Sequence, residues 1–277
     1  MKNKIIFFVN ILAVALIAVL VKQVGHESFH GISANLVGAT WTKLNLFYAE
    51  SIWQGEPSQT GNIIISGSAA IVNILLCFLF AFLFNSKAAL QNPTLRLFFF
   101  FLTAYNLFAG FGYLFIDPLL YQSGGQNLGD WKYIVHALGG GWNVRLPISL
   151  IGAAGVLWGF FWVAQNAHAF LPAEQPQRFR QALILLLSPY LILSTLFTIL
   201  ASLGYLPADV AIIIAIQYFF GYFGIGWGAF MAGLWIKPKA TLQRTPLPES
   251  LQVGWVITAL VLFSATVIIL LPTLTLG

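Results

Sequence analysis

The segment His26-Glu27-Ser28-Phe29-His30 contains two histidines four residues apart, with a glutamate directly after the first. On an α-helix, positions i and i+4 lie on one face about 6 Å apart along the axis, so His26 and His30 can turn both imidazoles toward one metal ion. Glu27 lies beside them, where its carboxylate can take a proton from water. Zinc hydrolases combine two neutral nitrogen ligands, a third protein ligand and an open position for water. The spacing therefore predicts a hydrolytic zinc site with Glu27 as the general base.

The elements that must position this motif are membrane helices. Hydrophobic residues make up 59% of the chain and charged residues 8%, whereas soluble domains carry about 25% charged residues. The thirteen Lys and Arg are scattered between apolar runs, so we expect a lipid bilayer and not a nucleic acid as the partner. The single cysteine, Cys77, lies in an apolar run and predicts packing rather than a disulfide.

Seven apolar runs are long enough to cross a bilayer core of about 30 Å. They predict an all-α, polytopic integral membrane protein of about seven transmembrane helices. The predicted spans are approximately 5–21, 63–84, 95–121, 146–170, 182–203, 210–236 and 253–271. We interpret the first as a retained anchor, because no clear small-x-small cleavage site follows it. The glycine-rich segments 152–159 and 221–228 predict close contacts between helices.

The distribution of Lys and Arg predicts the orientation, since positive residues are held on the cytoplasmic side during insertion. With a cytoplasmic N-terminus, the inner segments hold Lys2, Lys4, Lys87, Arg96, Arg178, Arg180, Lys237, Lys239 and Arg244, against Lys43, Lys132 and Arg145 outside. We therefore expect a multi-pass protein of a bacterial-type plasma membrane with its N-terminus in the cytoplasm. At 1.5 Å per residue, His26 lies about 32 Å from Ile5, which predicts a site at the outer edge of the bilayer core.

The motif is rare in a chain of this composition. Four His and five Glu among 277 residues give roughly one chance match per thousand such chains. Ionisable residues at a membrane are costly and usually functional. The alternative interpretation is that His26, Glu27 and His30 are interfacial polar residues at the end of a span, reaching toward water.

A third ligand must come from elsewhere in the chain. Asp117 lies near the end of the third span and Asp130 follows it shortly, on the side of the membrane where the predicted topology places the motif. Gly129 and the pair at 124–125 give the backbone freedom to turn Asp130 back toward the bilayer. We predict Asp130 as the third ligand, with Asp117 or His136 as the alternatives.

Two other polar residues are interpreted as structural. Asp209 follows Pro207 and is typical of a helix cap. His168 falls near the cytoplasmic end of the fourth span, a membrane thickness from the motif in the predicted topology. We therefore expect neither residue to share the metal.

Three segments resemble the site-2 protease family of intramembrane zinc metalloproteases, the HExxH membrane peptidases. The motif looks like the first conserved helix of that family, and 66–73 resembles its small-residue turn followed by an asparagine. Gly-Asp-Trp at 129–131 looks like the third-ligand segment of some small relatives. The resemblance covers about 20–35, 63–80 and 105–135. It implies a zinc ion held by His26, His30 and Asp130, a single membrane domain at 1–277 with a metalloprotease-like core at 1–135, and additional helices at 146–277.

The resemblance also implies that Asn73 helps to position the substrate. The alternative for Asn73 is an interhelical hydrogen bond at a face of closely packed small residues.

The resulting hypothesis is a membrane-embedded zinc metalloprotease that cleaves membrane-associated or membrane-proximal peptide segments. Its substrate would be selected by the spans or by the loop at 35–61. One alternative is a zinc-dependent membrane hydrolase of lipid or amide substrates, because a site at the outer interface would suit an amphiphile. Another is a non-catalytic membrane protein, either a transporter or an inactive protease relative; the few polar residues at mid-span disfavour transport. The sequence does not indicate an oligomeric state.

Overall fold

The computed structural model describes residues 2–123, 129–203, 206 and 208–276, and the side chains of all of these except 2, 3, 208 and 209. Six helices in this part of the chain are long and apolar enough to cross a membrane, and a seventh, Val253–Ile269, is shorter. The prediction of an all-α polytopic membrane protein with about seven helices is confirmed.

The secondary structure consists of helices and one small sheet. In chain order the helices are α1 (Lys2–Leu36), α2 (Gln59–Phe84), α3 (Lys87–Gln91), α4 (Pro93–Leu119), α5 (Asp130–Ala137), α6 (Trp142–Ala167), α7 (Gln175–Ala182), α8 (Ser188–Ser202), α9 (Ala208–Ile216), α10 (Phe223–Phe230) and α11 (Val253–Ile269). Turns of π-helix at Leu183–Leu187, Gln217–Gly221 and Met231–Trp235 lie within the two spans Gln175–Ser202 and Val210–Trp235. The strands are β1 (Ala39–Leu44), β2 (Ala49–Trp53) and β3 (Leu274–Thr275).

The first helix is much longer than the apolar run that predicted it. α1 contains 35 residues and continues from the predicted end at Val21 to Leu36. Near its end, Gly31 admits the ring of Trp41, which occupies the position that a Cβ would take. The whole HExxH motif therefore lies within one continuous helix, as a metal-binding pair at i and i+4 requires.

A β-hairpin follows α1 directly. β1 and β2 pair antiparallel, with Thr40 opposite Ile52, and the short strand β3 pairs with the other edge of β1. Among the described strands, β2 has a neighbour on one side only. The hairpin lies in the predicted loop at 35–61, where residues such as Thr40 and Trp41 favour strands.

The short helix α5 folds back against the helices that precede it. Ile134 of α5 packs on α2, where its Cδ1 lies 3.1 Å from the position that a Cβ of Gly67 would occupy. This turn brings Asp130, the first residue of α5, beside α1. Asn73, which contacts His26, lies about 21 Å along α2 from Gln59. The predicted position of the site at the outer edge of the bilayer core stays a prediction.

Both glycine-rich segments form close helix contacts, as predicted. A Cβ at Gly152 would collide with the backbone nitrogen of Phe115 in α4, and one at Gly155 would overlap the ring of Phe111. Gly224 in α10 likewise meets the ring of Phe108. Small residues let membrane helices approach closely enough for dispersion and backbone contacts to hold them together.

Candidate metal centre

Three side chains predicted as ligands converge on one point. His26 and His30 of α1 direct their Nε2 atoms at the same carboxylate oxygen of Asp130, Oδ2, at distances of 3.4 Å and 3.3 Å. The three ligand atoms all lie within 4.8 Å of one another. Two ligand atoms that are each about 2.1 Å from a tetrahedral zinc ion stand about 3.4 Å apart. The spacing therefore fits a zinc ion, and within the described residues this is the group of His, Cys, Asp and Glu that could hold a metal.

A hydrogen bond behind His30 fixes the tautomer that metal binding needs. His30 Nδ1 lies 2.7 Å from the carbonyl oxygen of Ile65 in α2. Because a carbonyl only accepts, Nδ1 must carry the proton, which leaves the Nε2 lone pair free for a metal. Such partners commonly orient metal-binding histidines.

Asn73 contacts the corresponding nitrogen of His26. Its side-chain Nδ2 lies 2.8 Å from His26 Nδ1, so Nδ2 donates to Nδ1 and the neutral ring carries its proton on Nε2. A flipped amide would present its oxygen at this point, and Nδ1 would then donate and leave Nε2 free for a metal. Asn73 is 1% exposed and makes the interhelical hydrogen bond considered above. Its predicted contact with substrate stays a prediction.

Asp130 contributes the carboxylate of this group. The Oδ2 atom is buried and accepts no hydrogen bond within the described residues. A buried carboxylate oxygen without a hydrogen bond is costly, and a cation between it and the two imidazoles would remove that cost.

Asp117 holds the start of α5, which carries Asp130, the predicted third ligand. Its Oδ2 accepts a hydrogen bond from the backbone N–H of Trp131 at 3.1 Å, in the first turn of α5. Gly129, directly before the helix, has φ +121°, and a Cβ there would lie 3.0 Å from the same oxygen. A glycine is required here because other residues rarely adopt this φ. The alternative of Asp117 as a ligand is not supported, since it lies outside the His26, His30 and Asp130 group.

We expect Asp117→Ala to weaken zinc binding by about 10–100-fold, the usual cost of losing a group that orients a metal ligand. Without the acceptor at the start of α5, the Asp130 carboxylate loses its fixed direction. Zinc affinity is measured by competition with a chromogenic chelator on the detergent-purified protein. Asp117→Asn is the matched control, because its side-chain oxygen still accepts from Trp131; equal weakening in both variants would contradict this role.

The other candidates lie apart from the metal group. His136 contacts the hydroxyl of Tyr121, with 3.1 Å between Nδ1 and Oη. His168 donates from Nε2 to the carbonyl oxygen of Ile236 at 3.0 Å, and burial lowers its pKa to about 4. The side chain of Asp209 and the glycines at 124–125 lie outside the described residues.

Glu27, the predicted general base, is held by a polar network that the sequence did not predict. Gln23 Nε2 donates to Glu27 Oε1 at 2.8 Å and to the carbonyl oxygen of Leu46 at 3.1 Å. Its Oε1 accepts from Lys22 Nζ and from the hydroxyl of Tyr218, each at 3.1 Å. Because an ammonium group only donates, Lys22 fixes which end of the Gln23 amide faces Glu27. This hydrogen bond engages one of the two carboxylate oxygens of Glu27.

The signal for this network was present in the sequence. Lys22 and Gln23 interrupt an apolar run one turn before His26, and polar residues inside a span usually face a partner. Both are 2% exposed. Their partner Tyr218 comes from a π-helical turn almost two hundred positions away, so residues 146–277, predicted as additional helices, contribute directly to the site.

A cavity of about 480 Å³ adjoins the metal group. Its walls include the three ligands, Glu27, the hairpin residues Phe47 to Glu50, and residues of α9 and the π-helical turn after it. Tyr113 of α4 stacks on His26 with 5.3 Å between ring centroids. The cavity leaves room for a substrate and a water between the ligands and Glu27.

No protein-family model matches the chain, and neither does any curated protein or solved structure. The resemblance to the site-2 protease family therefore remains a prediction drawn from the motif residues.

Proposed function

We propose that this protein is a membrane-embedded zinc metalloprotease that cleaves membrane-associated or membrane-proximal peptide segments. The observation that carries the proposal is the convergence of His26, His30 and Asp130 beside Glu27 at one cavity. Zinc, when bound by these ligands, would acidify a water and polarise the scissile carbonyl.

The residues of the chain supply the proton transfers. Glu27, steadied by Gln23, takes a proton from the attacking water as the water oxygen bonds to the carbonyl carbon. It then gives that proton to the amide nitrogen as the C–N bond breaks, so that a carboxyl and an amine are released. Two neutral imidazoles and one carboxylate leave the site with a net positive charge once zinc is bound, which suits the negative charge that develops on the carbonyl oxygen.

The free edge of β2 favours a peptide over a lipid substrate. Ala49 and Glu50 of β2 line the cavity, and among the described strands only β1 pairs with β2. An extended peptide can add to such an edge through backbone hydrogen bonds. A helical substrate hides its carbonyls, so pairing with β2 would also present the scissile bond in an open form. A lipid has no regular backbone to use this edge.

We expect the zinc-loaded protein to cleave extended, apolar peptides in detergent, and to lose this activity on chelation and regain it with zinc. Products are identified by mass spectrometry. N-methylation of the substrate at alternate positions should reduce cleavage about tenfold at each blocked hydrogen bond, in a period of two residues. Hydrolysis of N-acyl amide lipids with no cleavage of any peptide would overturn the proposal in favour of the lipid hydrolase.

We further propose that the protein lies in a bacterial-type plasma membrane with its N-terminus in the cytoplasm. The support is the excess of Lys and Arg on one side, nine against three. In that orientation the hairpin and α5 face outward. A single cysteine introduced at exposed Gln54 should then react with an impermeant maleimide in intact cells, whereas labelling only after lysis would reverse the orientation.

A further inference from the structure

A narrow apolar groove leads away from the metal cavity between α4 and the span that contains α9. Phe108, Gly112 and Ile116 form one wall, and Ile216 and Tyr222 form part of the other. The groove shares three residues with the metal cavity, namely Tyr113, Ile213 and Gln217. The two spaces are therefore adjacent and have a common border.

Gln217 stands at that border with an unused hydrogen-bond donor. Its Nε2 atom is buried and has no hydrogen-bond partner within the described residues. The residue begins a π-helical turn, Gln217–Gly221. Two carbonyl oxygens of this turn accept hydrogen bonds from side-chain hydroxyls of α8: Ser194 donates to the Tyr218 oxygen at 2.8 Å, and Tyr190 donates to the Phe219 oxygen at 2.5 Å. Turns of π-helix occur frequently at functional sites, and a buried, unpaired donor is costly unless a ligand uses it.

The groove has room for one large apolar side chain. Its volume is about 90 Å³, whereas a single water-sized group needs roughly 10–15 Å³ of such space. A side chain of the size of leucine or phenylalanine can therefore enter it.

We propose that this groove is the specificity subsite of the protease, and that it receives a large apolar side chain from the substrate residue next to the scissile bond. Gln217 Nε2 donates to the backbone carbonyl of the substrate at the border between groove and cavity. The inference rests on the proposed peptidase function and adds a selection rule: the protein cleaves beside leucine- or phenylalanine-sized residues and discriminates against alanine.

Gly112 offers a direct way to fill the groove. A Cβ built at this position meets no atom within 4 Å, and the residue lines the groove. A larger side chain therefore projects into empty space and does not collide with the protein. Since glycine also disfavours helix, Gly112→Ala should fold at least as well as the wild type.

The test measures kcat/KM on paired peptides that carry Leu or Ala beside the scissile bond. Wild type should prefer Leu by at least about tenfold, in line with the 10–200-fold discrimination of hydrophobic pockets. Gly112→Leu should lose or reverse this preference, with Gly112→Ala between them, and zinc content should stay unchanged. Gly254→Leu is the matched control, because Gly254 in α11 is exposed and also has no atom within 4 Å of a Cβ.

Gln217→Leu should lower kcat/KM about tenfold on both peptides, as expected for one lost hydrogen bond to substrate, and should leave the Leu/Ala ratio intact. A wild-type ratio in Gly112→Leu would overturn the subsite assignment while the peptidase function stands. If wild type hydrolyses N-acyl lipids and Gly112→Leu shortens the preferred acyl chain, the groove is a lipid site and the assignment fails. If zinc-loaded wild type cleaves no peptide, the proposed function itself has failed, and the subsite with it.

Discussion

Replacement of Glu27 by Gln is expected to lower peptide cleavage by about 10³-fold, while the purified protein keeps one zinc ion per chain. General acid–base catalysis by a positioned side chain contributes about 10²–10⁴-fold, and Glu27 is the residue proposed both to accept and to return the proton. Glutamine has almost the same shape, and its side-chain oxygen can still accept from Gln23. The variant therefore removes the base and leaves the site otherwise assembled.

Zinc content by elemental mass spectrometry and cleavage rate must be measured on the same preparations. Ser28→Ala is the neighbouring control: its hydroxyl donates to the Val24 carbonyl within α1, and we expect wild-type rates. Wild-type cleavage by Glu27→Gln would mean that the activity does not come from this site. A transporter or an inactive protease relative would tolerate the substitution, because neither uses Glu27 as a base.

The sequence predicts the spans well because hydropathy is a local property, but it misplaces the end of α1. Lys22 and Gln23 made the apolar run stop near Val21, whereas the helix continues to Leu36. Their polar groups are satisfied by Leu46 and Tyr218, which come from distant parts of the chain. A single sequence cannot show such partners, so a buried polar pair looks like the end of a span.

In the candidate site too, local features were predicted from the sequence and contacts between helices were not. The i, i+4 spacing on one helix was enough to pair His26 with His30, and the predicted topology was enough to bring Asp130 to the same side. The roles of Asn73 and Asp117 depended on contacts between helices, 2.8 Å to His26 and 3.1 Å to the start of α5, which spacing cannot supply. The free edge of β2 was missed because short strands give weak local signals.

The second large effect expected is the loss of zinc from Asp130→Ala. Removal of this carboxylate leaves two imidazoles and takes away the single negative ligand, so we expect zinc affinity to fall by more than about 100-fold, beyond the 10–100-fold cost of losing an orienting group. Binding also stabilises the folded state, by about 2.7 kcal/mol when zinc is present at a hundred times its Kd. The rise in Tm on addition of zinc should therefore disappear in Asp130→Ala.

Glu50→Gln provides the matched control for this loss. Glu50 is another carboxylate at the same cavity, but its Oε2 is paired with Lys43 Nζ at 2.7 Å. We expect this variant to keep both its zinc and the zinc-dependent rise in Tm. Full zinc binding by Asp130→Ala would show that the third ligand lies elsewhere. Asp130 and Glu50 carry the same charge but differ in their distance from His26 and His30. Loss of zinc from Glu50→Gln as well would therefore indicate that the total negative charge of the cavity governs zinc binding, and not the position of Asp130.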